Sequence, residues 1–452
     1  MTILEKINGF IWGIPTLFLI LGVGVYLTVR TRFAQFRLLP KAIKKMIEMI
    51  TNKNRCSDGV SPFQALCTAL GATVGTGNLA GVAGAIVIGG PGSIFWMWIC
   101  GFLGMVTKFA EVVLAMRFRT KNEAGEYVGG PMYMIRHGMG ERWRWLAAVY
   151  AFFGVVAAFG VGNATQINAV INGINSAITT LGGTQTRQGD IIIGIVLTVL
   201  IGLILLGGAK RIGRIAEKLV PFVSAAYICL CTVVLVMRHC AIIDAFRSIL
   251  LGAFSPDAVT GGVVGSIWCA MSVGARRGVF TNEAGMGTAS IAHSASNASD
   301  PIEQGLMGII EVFLDTIVIC TMTALVILCS KQPITYGEDI GITLTAQAFG
   351  SVFGGWVQIF LAVALACFAI ATVLGWGIYG MRCAQYLFGA KAWRAFACLQ
   401  TGTVLLGAIL STGTVWTLAE LLNGLMAIPN LIAIAYLSPE LIRLLENSSR
   451  CK

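Results

Sequence analysis

The chain has 452 residues, of which 56% are hydrophobic and only 12% are charged. A soluble protein carries about 25% charged residues, so this composition excludes a globular domain with a single anchor and predicts a polytopic membrane protein whose solvent is the lipid bilayer. The net charge of +11 follows from the basic loops described below and does not indicate a nucleic-acid partner.

Apolar runs predict eleven membrane spans, because about 20 apolar residues are enough to cross a bilayer. The first run continues to Arg30 without a small-residue cleavage site, which indicates a retained span and not a signal peptide. The tenth is the weakest, since it is short and contains Gln400. The predicted spans cover residues 8–29, 62–89, 93–116, 145–178, 190–208, 219–237, 260–280, 305–329, 355–381, 394–411 and 413–437.

Lysine and arginine are concentrated in alternate connections between these spans. The basic segments are residues 30–55, 117–144, 210–218, 382–394 and 443–452, whereas the loops on the other side contain few cations. Because positive loops stay in the cytoplasm, this pattern predicts an external N-terminus and a cytoplasmic C-terminus in the cell (inner) membrane.

Eleven spans divide into one extra N-terminal span and two sets of five. We predict an N-terminal span with a basic cytoplasmic segment (1–58), a transporter core (59–437) and a cytoplasmic C-terminal tail (438–452). The core would contain a first repeat at about 59–237 and a second at about 260–437. Since five is odd, the second repeat would cross the membrane in the opposite direction, as in inverted-repeat transporters.

The string G-A-T-V-G-T-G-N, Gly71–Asn78, interrupts the first span of the first repeat. Glycine costs about 1 kcal/mol relative to alanine in a helix interior, and lipid offers no water to the freed backbone groups. Freed N–H groups over Gly75–Gly77 would suit a carboxylate, and the carbonyls upstream would suit a cation. These glycines could simply allow close packing, but Thr73, Thr76 and Asn78 add polar groups that packing does not need.

A second break is predicted in G-V-F-T-N-E-A-G-M-G, which begins at Gly278. It places Glu283 at membrane depth, where a carboxylate is usually functional. Arg276 and Arg277 stand just before it, so Glu283 either belongs to a site or pairs with an arginine at a helix end.

Other spans contribute further polar residues. Gln166 lies in the fourth, Asp315 in the eighth, and Thr372 and Trp376 in the ninth. Near a span end, Lys108 and Glu111 are three residues apart and predict a local ion pair. Glu420 in the last span has no evident partner.

Sodium prefers oxygen ligands, as other hard cations do. The Thr372 hydroxyl and the carbonyl of Phe368, one helical turn apart, could complete an oxygen shell begun by Gly71 and Val74.

Other functional classes fit less well. The sequence contains no G-x-S-x-G, H-E-x-x-H or Walker motif and only three histidines, so we predict no enzyme, no cofactor and no metal besides sodium. The 13 cysteines are interpreted as mostly buried free thiols. A channel would need a continuous polar stripe on several spans, whereas the polar residues here are confined to patches near the membrane midplane. A non-transporting receptor would keep the substrate site and lose cation ligands, and Ala371 is the only sign of such a loss.

Several long strings resemble the alanine-or-glycine:cation symporter family, over residues from about 10 to 437. They are G-A-T-V-G-T-G-N-L-A-G-V-A, G-G-P-G-S-I-F-W-M-W, G-G-P-M-Y-M, I-G-R-I-A-E-K-L-V-P-F, R-R-G-V-F-T-N-E-A-G-M-G and F-L-D-T-I-V-I-C-T-M-T-A-L. The resemblance implies an all-α, leucine-transporter-type fold with inverted five-helix repeats. It also implies uptake of small neutral amino acids, alanine or glycine, with sodium or protons.

The resemblance also implies roles for individual residues. Thr76 and Gly77 would meet the substrate carboxylate, and Gln166, Phe280 and Trp376 would line the pocket. From the two breaks themselves, we also predict substrate contacts at Thr73, Gly75, Asn282 and Gly285. The cation would contact Gly71, Val74, Phe368, Ala371 and Thr372. Independently of the resemblance, the polar residues within the spans predict a second polar site, which would comprise Asn78, Glu283 and Asp315. Relatives often have Ser-Thr where this chain has Ala371-Thr372, so one hydroxyl ligand is missing.

Overall fold

The computed structural model describes residues 3–51, 59–264, 266–337, 342–408 and 412–450. These residues form helices joined by short connections, with one two-stranded hairpin. The expected all-α architecture is confirmed.

The helices follow the apolar runs of the sequence. They are α1 (Ile3–Ile11), α2 (Ile14–Arg30), α3 (Ala34–Thr51), α4 (Pro62–Thr73), α5 (Val82–Gly89), α6 (Ser93–Arg117), α7 (Pro131–Met134), α8 (Arg144–Phe159), α9 (Thr165–Thr180), α10 (Arg187–Leu205), α11 (Gly208–Met237), α12 (Ile242–Phe254), α13 (Pro256–Thr260), α14 (Ile267–Asn282), α15 (Thr288–Ser294), α16 (Pro301–Val312), α17 (Thr321–Cys329), α18 (Ile342–Phe353), α19 (Val357–Phe388), α20 (Ala392–Gly407) and α21 (Thr412–Arg450).

Within the described residues, eight helical stretches are long and apolar enough to cross a membrane. The bent pair α4 and α5 raises the number to nine. The other two predicted spans, 260–280 and 394–411, correspond largely to α14 and α20, which have 16 residues each. The count of eleven therefore stays a prediction.

The centre of the molecule is α6, which is buried on nearly all sides and packs between α14 and α16. The long helix α19 packs against α4, α8 and α9. In contrast, only 28% of the most apolar stretch of α10 and of α11 is buried, as expected of helices that face lipid.

Arg119, next to a short hairpin, and one backbone hydrogen bond connect segments that adjoin α4 and α15 at one end of the molecule. Strands β1 (Thr120–Lys121) and β2 (Tyr127–Val128) pair antiparallel. Next to them, the Arg119 guanidinium donates 2.6 Å hydrogen bonds to the carbonyls of Ser296 and Ala298, beyond the end of α15. The Asn297 N–H donates to the Val60 carbonyl just before α4, so the segments next to α4 and α15 are connected here.

Glu420, which had no evident partner in the sequence, connects the N-terminal span to the last helix. Its carboxylate accepts from the Asn8 amide at 3.1 Å, and its carbonyl accepts from the Trp12 indole at 2.6 Å. Arg277 lies 3.7 Å from the same carboxylate. Arg277 is therefore directed towards α21.

Candidate functional site

The first predicted break is present in the structure. Helix α4 ends at Thr73, Val74 adopts an extended conformation (φ −75°, ψ 101°), and a π-helical turn, Gly77–Gly81, leads into α5. The two halves are bent by 46°. A Cβ atom on Gly77 would lie 2.7 Å from the Thr281 methyl group, so glycine is required where α14 crosses.

The residues predicted to bind a cation meet at this break. The Thr372 hydroxyl donates to the carbonyl of Gly71 at 3.0 Å and is 3.1 Å from that of Phe368. A Cβ atom on Gly71 would lie 3.2 Å from the Ala371 methyl group, so that residue is also in contact. Val74 is the hinge residue that ends α4. All of these residues are buried.

Several residues predicted to bind substrate adjoin this oxygen cluster. A Cβ atom on Gly75 would lie 2.7 Å from the Thr372 hydroxyl and 3.5 Å from the Gln166 side-chain oxygen. The Thr76 hydroxyl donates to that oxygen at 3.2 Å. The Gly75 N–H, which we expected to be free, donates to the Asn78 side chain at 2.8 Å.

A chain of polar side chains connects the two breaks through a π-helical segment, Phe313–Cys320. The Asn78 amide donates to Asp315 at 2.7 Å, and the Thr316 hydroxyl donates to the other Asp315 oxygen at 2.9 Å. The Asn282 amide then donates to Thr316 at 3.0 Å. Two members of the predicted second polar site are therefore in contact, whereas its third member, Glu283, makes hydrogen bonds elsewhere.

Glu283 lies at the second break with a positive φ of 54°. Its Oε1 accepts from the Trp376 indole at 2.7 Å, and its Oε2 accepts from the Thr288 hydroxyl at 2.6 Å. These donors are neutral. This geometry favours the interpretation of Glu283 as part of a site over that of an arginine partner.

Glu111, a residue that the sequence did not single out for a site, holds the unwound backbone of the second break. Its Oε1 accepts from the N–H groups of Gly285 at 2.8 Å and Gly287 at 3.1 Å, and from Asn430 at 2.8 Å. The predicted ion pair with Lys108 is wrong, because Lys108 lies 3.1 Å from a different carboxylate, Glu311. Tertiary packing of α6 on α16 overrides the local spacing.

Two predicted substrate contacts are not brought into the cluster. A Cβ atom on Gly285 would approach Leu431 at 3.4 Å, on the side of α21, and its N–H already binds Glu111. The Thr73 hydroxyl donates within its own helix, to the carbonyls of Ala69 and Leu70.

The whole chain matches one family model. The model of the sodium:alanine symporter family covers residues 1–452. The chain belongs to the sodium:alanine symporter family. This is a family of symporters and not of enzymes, and its members are multi-pass membrane proteins.

Two relatives and one solved structure illustrate the range of similar proteins. The sodium/alanine symporter AgcS of Methanococcus maripaludis is 41% identical over 97% of this chain and 95% of its own. The probable sodium/glutamine symporter GlnT of Bacillus subtilis is 35% identical over 98% and 90%. The crystal structure of MhsT in complex with L-phenylalanine superposes with a TM-score of 0.62 at 15% identity, covering 84% of this chain and 90% of that one. The leucine-transporter-type fold is thereby confirmed.

In this symporter-family chain, a large aromatic side chain lies beside the second break. Trp376 is fully buried, and its ring is 5.7 Å from that of Tyr379 in a T-shaped arrangement. A Cβ atom on Gly162, within the π-helical turn Gly160–Ala164, would lie 2.2 Å from Trp376 Cβ. The indole therefore needs a glycine opposite it. Sequence reasoning missed this glycine, although the polar G-V-G-N string around it was a usable signal.

Proposed function

We propose that this protein is a sodium-coupled symporter that carries small neutral amino acids, alanine or glycine, into the cell by alternating access. The contact of the Thr372 hydroxyl with the Gly71 and Phe368 carbonyls, beside Gly75, carries the proposal. It supports a cation site and a substrate site that share one helix break.

The cation site would use oxygen atoms that are already close together. A sodium ion bound between the carbonyls of Gly71 and Phe368 would have the Thr372 hydroxyl oxygen as a third ligand. The hydroxyl proton of Thr372 would then point away from both carbonyls. Val74 and Ala371 would contribute backbone groups. Thr372 contacts the carbonyls of both Gly71 and Phe368, although position 371 has no hydroxyl. The geometry therefore supports a transporter over a receptor that has lost its cation site.

The substrate carboxylate would bind at the N–H groups of Thr76 and Gly77. These residues start a half-helix, whose N-terminus carries about half a positive charge. Gln166 would line the pocket, and Phe280 and Trp376 would limit the side chain. Excluding one methylene is worth about 1–3 kcal/mol in an apolar pocket, which supports a preference for alanine or glycine.

Proton coupling on the same fold is the second candidate. Asp315 and Glu283 are buried at the two breaks and could carry a proton in place of sodium. A dependence of uptake on the proton gradient and not on the sodium gradient would favour this candidate.

The test is uptake of labelled alanine and glycine into proteoliposomes with and without an inward sodium gradient. We expect accumulation only with the gradient, and competition by glycine but not by leucine. Gradient-independent uptake, or no uptake of either amino acid, would refute the proposal.

The proposed location is the cell (inner) membrane, with the N-terminus outside. The distribution of lysine and arginine supports this orientation. A reporter fused after Lys452 should be cytoplasmic, and one inserted at residue 185 should be external. Both reporters on the same side would contradict the proposed topology.

A further inference from the structure

Five titratable residues are buried together around the second break. Lys108 and Glu111 come from α6, Glu283 from the break itself, His293 from α15 and Glu311 from α16, and each side chain is at most 2% exposed. Three carboxyl groups therefore face at most two cations. A buried carboxylate without a compensating charge is strongly destabilised, so the cluster favours binding of one more positive charge.

Glu311 is paired with cations, and Glu111 accepts hydrogen bonds from N–H donors only. Glu311 lies 3.1 Å from the Lys108 ammonium and 3.4 Å from the His293 ring nitrogen. Glu111 accepts three N–H groups on one oxygen, which stabilises the anion. Its other oxygen has no hydrogen-bond partner among the described residues, so a proton placed there would have no acceptor.

Glu283 differs because its two partners suit both protonation states. Its Oε2 is 2.6 Å from the Thr288 hydroxyl, and a hydroxyl can either donate to a carboxylate or accept from a carboxylic acid. Its Oε1 accepts from the Trp376 indole in either state. Protonation thus forms one O–H bond on Oε2 and reverses one hydrogen bond without breaking the other.

We propose that Glu283 binds an exchangeable proton, and that losing this proton tightens the binding of substrate beside Trp376. A hydrogen bond to a carboxylate is stronger than one to a neutral acid, so the ionised form holds the indole more firmly against the pocket. Alanine binding would then release a proton, since linkage is reciprocal. This inference rests on the proposed function, because it takes Trp376 as a wall of the substrate pocket.

The groups that face Glu283 favour a proton over a second metal ion. Besides the four other members of the cluster, Tyr150 from α8 and Tyr379 from α19 are within electrostatic range. The Lys108 ammonium would repel a metal cation at this position. Among the described residues, no group of three or more histidine, cysteine or acidic side chains is arranged to hold a metal.

The experiment measures alanine binding to the purified full-length protein by calorimetry at saturating sodium, from about pH 5.5 to about pH 8.5. In the wild type we expect the Kd to rise about tenfold as the pH falls, with proton release detected in buffers of different ionisation enthalpy. Glu283→Gln, which mimics the neutral acid, should give a pH-independent Kd near the low-pH wild-type value. Thr288→Val removes a hydroxyl whose hydrogen bond to the carboxylate is stronger than its bond to the neutral acid, so the rise in Kd should occur at a higher pH than in the wild type.

Thr323→Val is the matched control, because it also removes a buried threonine hydroxyl that is bonded to another side chain, that of Tyr227 at 2.8 Å. It should keep the wild-type pH profile. Infrared difference spectra between low and high pH should show the carbonyl stretch of a protonated carboxylic acid in the wild type and Thr323→Val, and the component that belongs to Glu283 should be lost in Glu283→Gln.

A wild-type pH profile in Glu283→Gln, or no loss of this infrared band, would overturn the inference. If Glu283→Gln cannot be purified, the pH profile of Thr288→Val decides, and an unchanged profile in that variant would overturn the inference. Absence of sodium-dependent alanine binding in the wild type would instead refute the proposed function, and the infrared band would still test the proton on Glu283.

Discussion

The two helix breaks use opposite kinds of partner. At the first break, neutral groups engage the backbone: the Asn78 amide accepts from Gly75, and the Thr372 hydroxyl contacts the Gly71 carbonyl. At the second break, a buried carboxylate engages it, since Glu111 accepts from both Gly285 and Gly287.

This difference indicates that the first break can bind a ligand, whereas the second break is a scaffold that the protein's own carboxylate holds in place. The second break already contains its own anion, so a substrate carboxylate would compete there with Glu111. A hydroxyl that contacts two carbonyls can be displaced with little loss, whereas a buried carboxylate that accepts three N–H groups cannot. We therefore expect ligands to bind at the first break and the second break to set the pocket shape.

The largest effect is expected from Glu111→Ala. The change leaves two backbone N–H groups and Asn430 without an acceptor and should destabilise the fold by about 3 kcal/mol, with loss of alanine uptake. Thermal unfolding of the purified protein and uptake measure both effects. Glu440→Ala is the control, because its ion pair with Arg117 is partly exposed and contributes about 1 kcal/mol or less. Equal melting temperatures for the two variants would contradict the scaffold role.

Trp376→Ala should have a smaller but selective effect. Removing the indole opens the pocket, so we expect alanine binding to weaken by about 2 kcal/mol while larger neutral amino acids become competitors. Competition assays with leucine measure this change. Trp145→Ala, which removes an indole that is 60% exposed on α8, should leave the competition profile unchanged. If leucine displaces alanine as well as glycine does in the wild type, the aromatic residues do not close the site.

The smallest effect is expected from Thr372→Ala, which removes one oxygen at the first break. The sodium concentration for half-maximal uptake should rise about tenfold, equivalent to about 1.4 kcal/mol, with substrate preference unchanged. Thr232→Ala is the matched control, since its exposed hydroxyl donates to the carbonyl one turn back at 2.8 Å. A change in substrate preference without a change in sodium dependence would place Thr372 outside the cation site.

The first break could be predicted from the sequence, because the residues that cause it are neighbours along the chain. Glycines and polar residues within Gly71–Asn78 conflict with a regular helix in lipid, and the break lies there. The contact of Thr372 with Gly71 was expected from the family resemblance and from oxygen chemistry. Positions one turn apart on one helix, such as Phe368 and Thr372, can be paired from spacing alone.

The second break was harder to predict because distant residues determine it. Glu111 lies 174 residues before Gly285 and 319 before Asn430, and no periodicity connects them. The i, i+3 rule instead suggested Lys108 as the partner of Glu111. Similarly, Glu420 is bonded to Asn8 across 412 residues. Such contacts depend on which helices are neighbours, which the pattern of one chain does not specify.

Thr372 and Trp376 lie on successive turns of α19 and contact the first and the second break, respectively. An α-helix rises 1.5 Å and turns about 100° per residue, so these two contacts have a fixed offset and azimuth. A small rotation of α19 would therefore loosen both contacts together. We expect that inserting one residue between Thr372 and Trp376 would uncouple the release of sodium from the release of the amino acid, even if each binding pocket stayed intact.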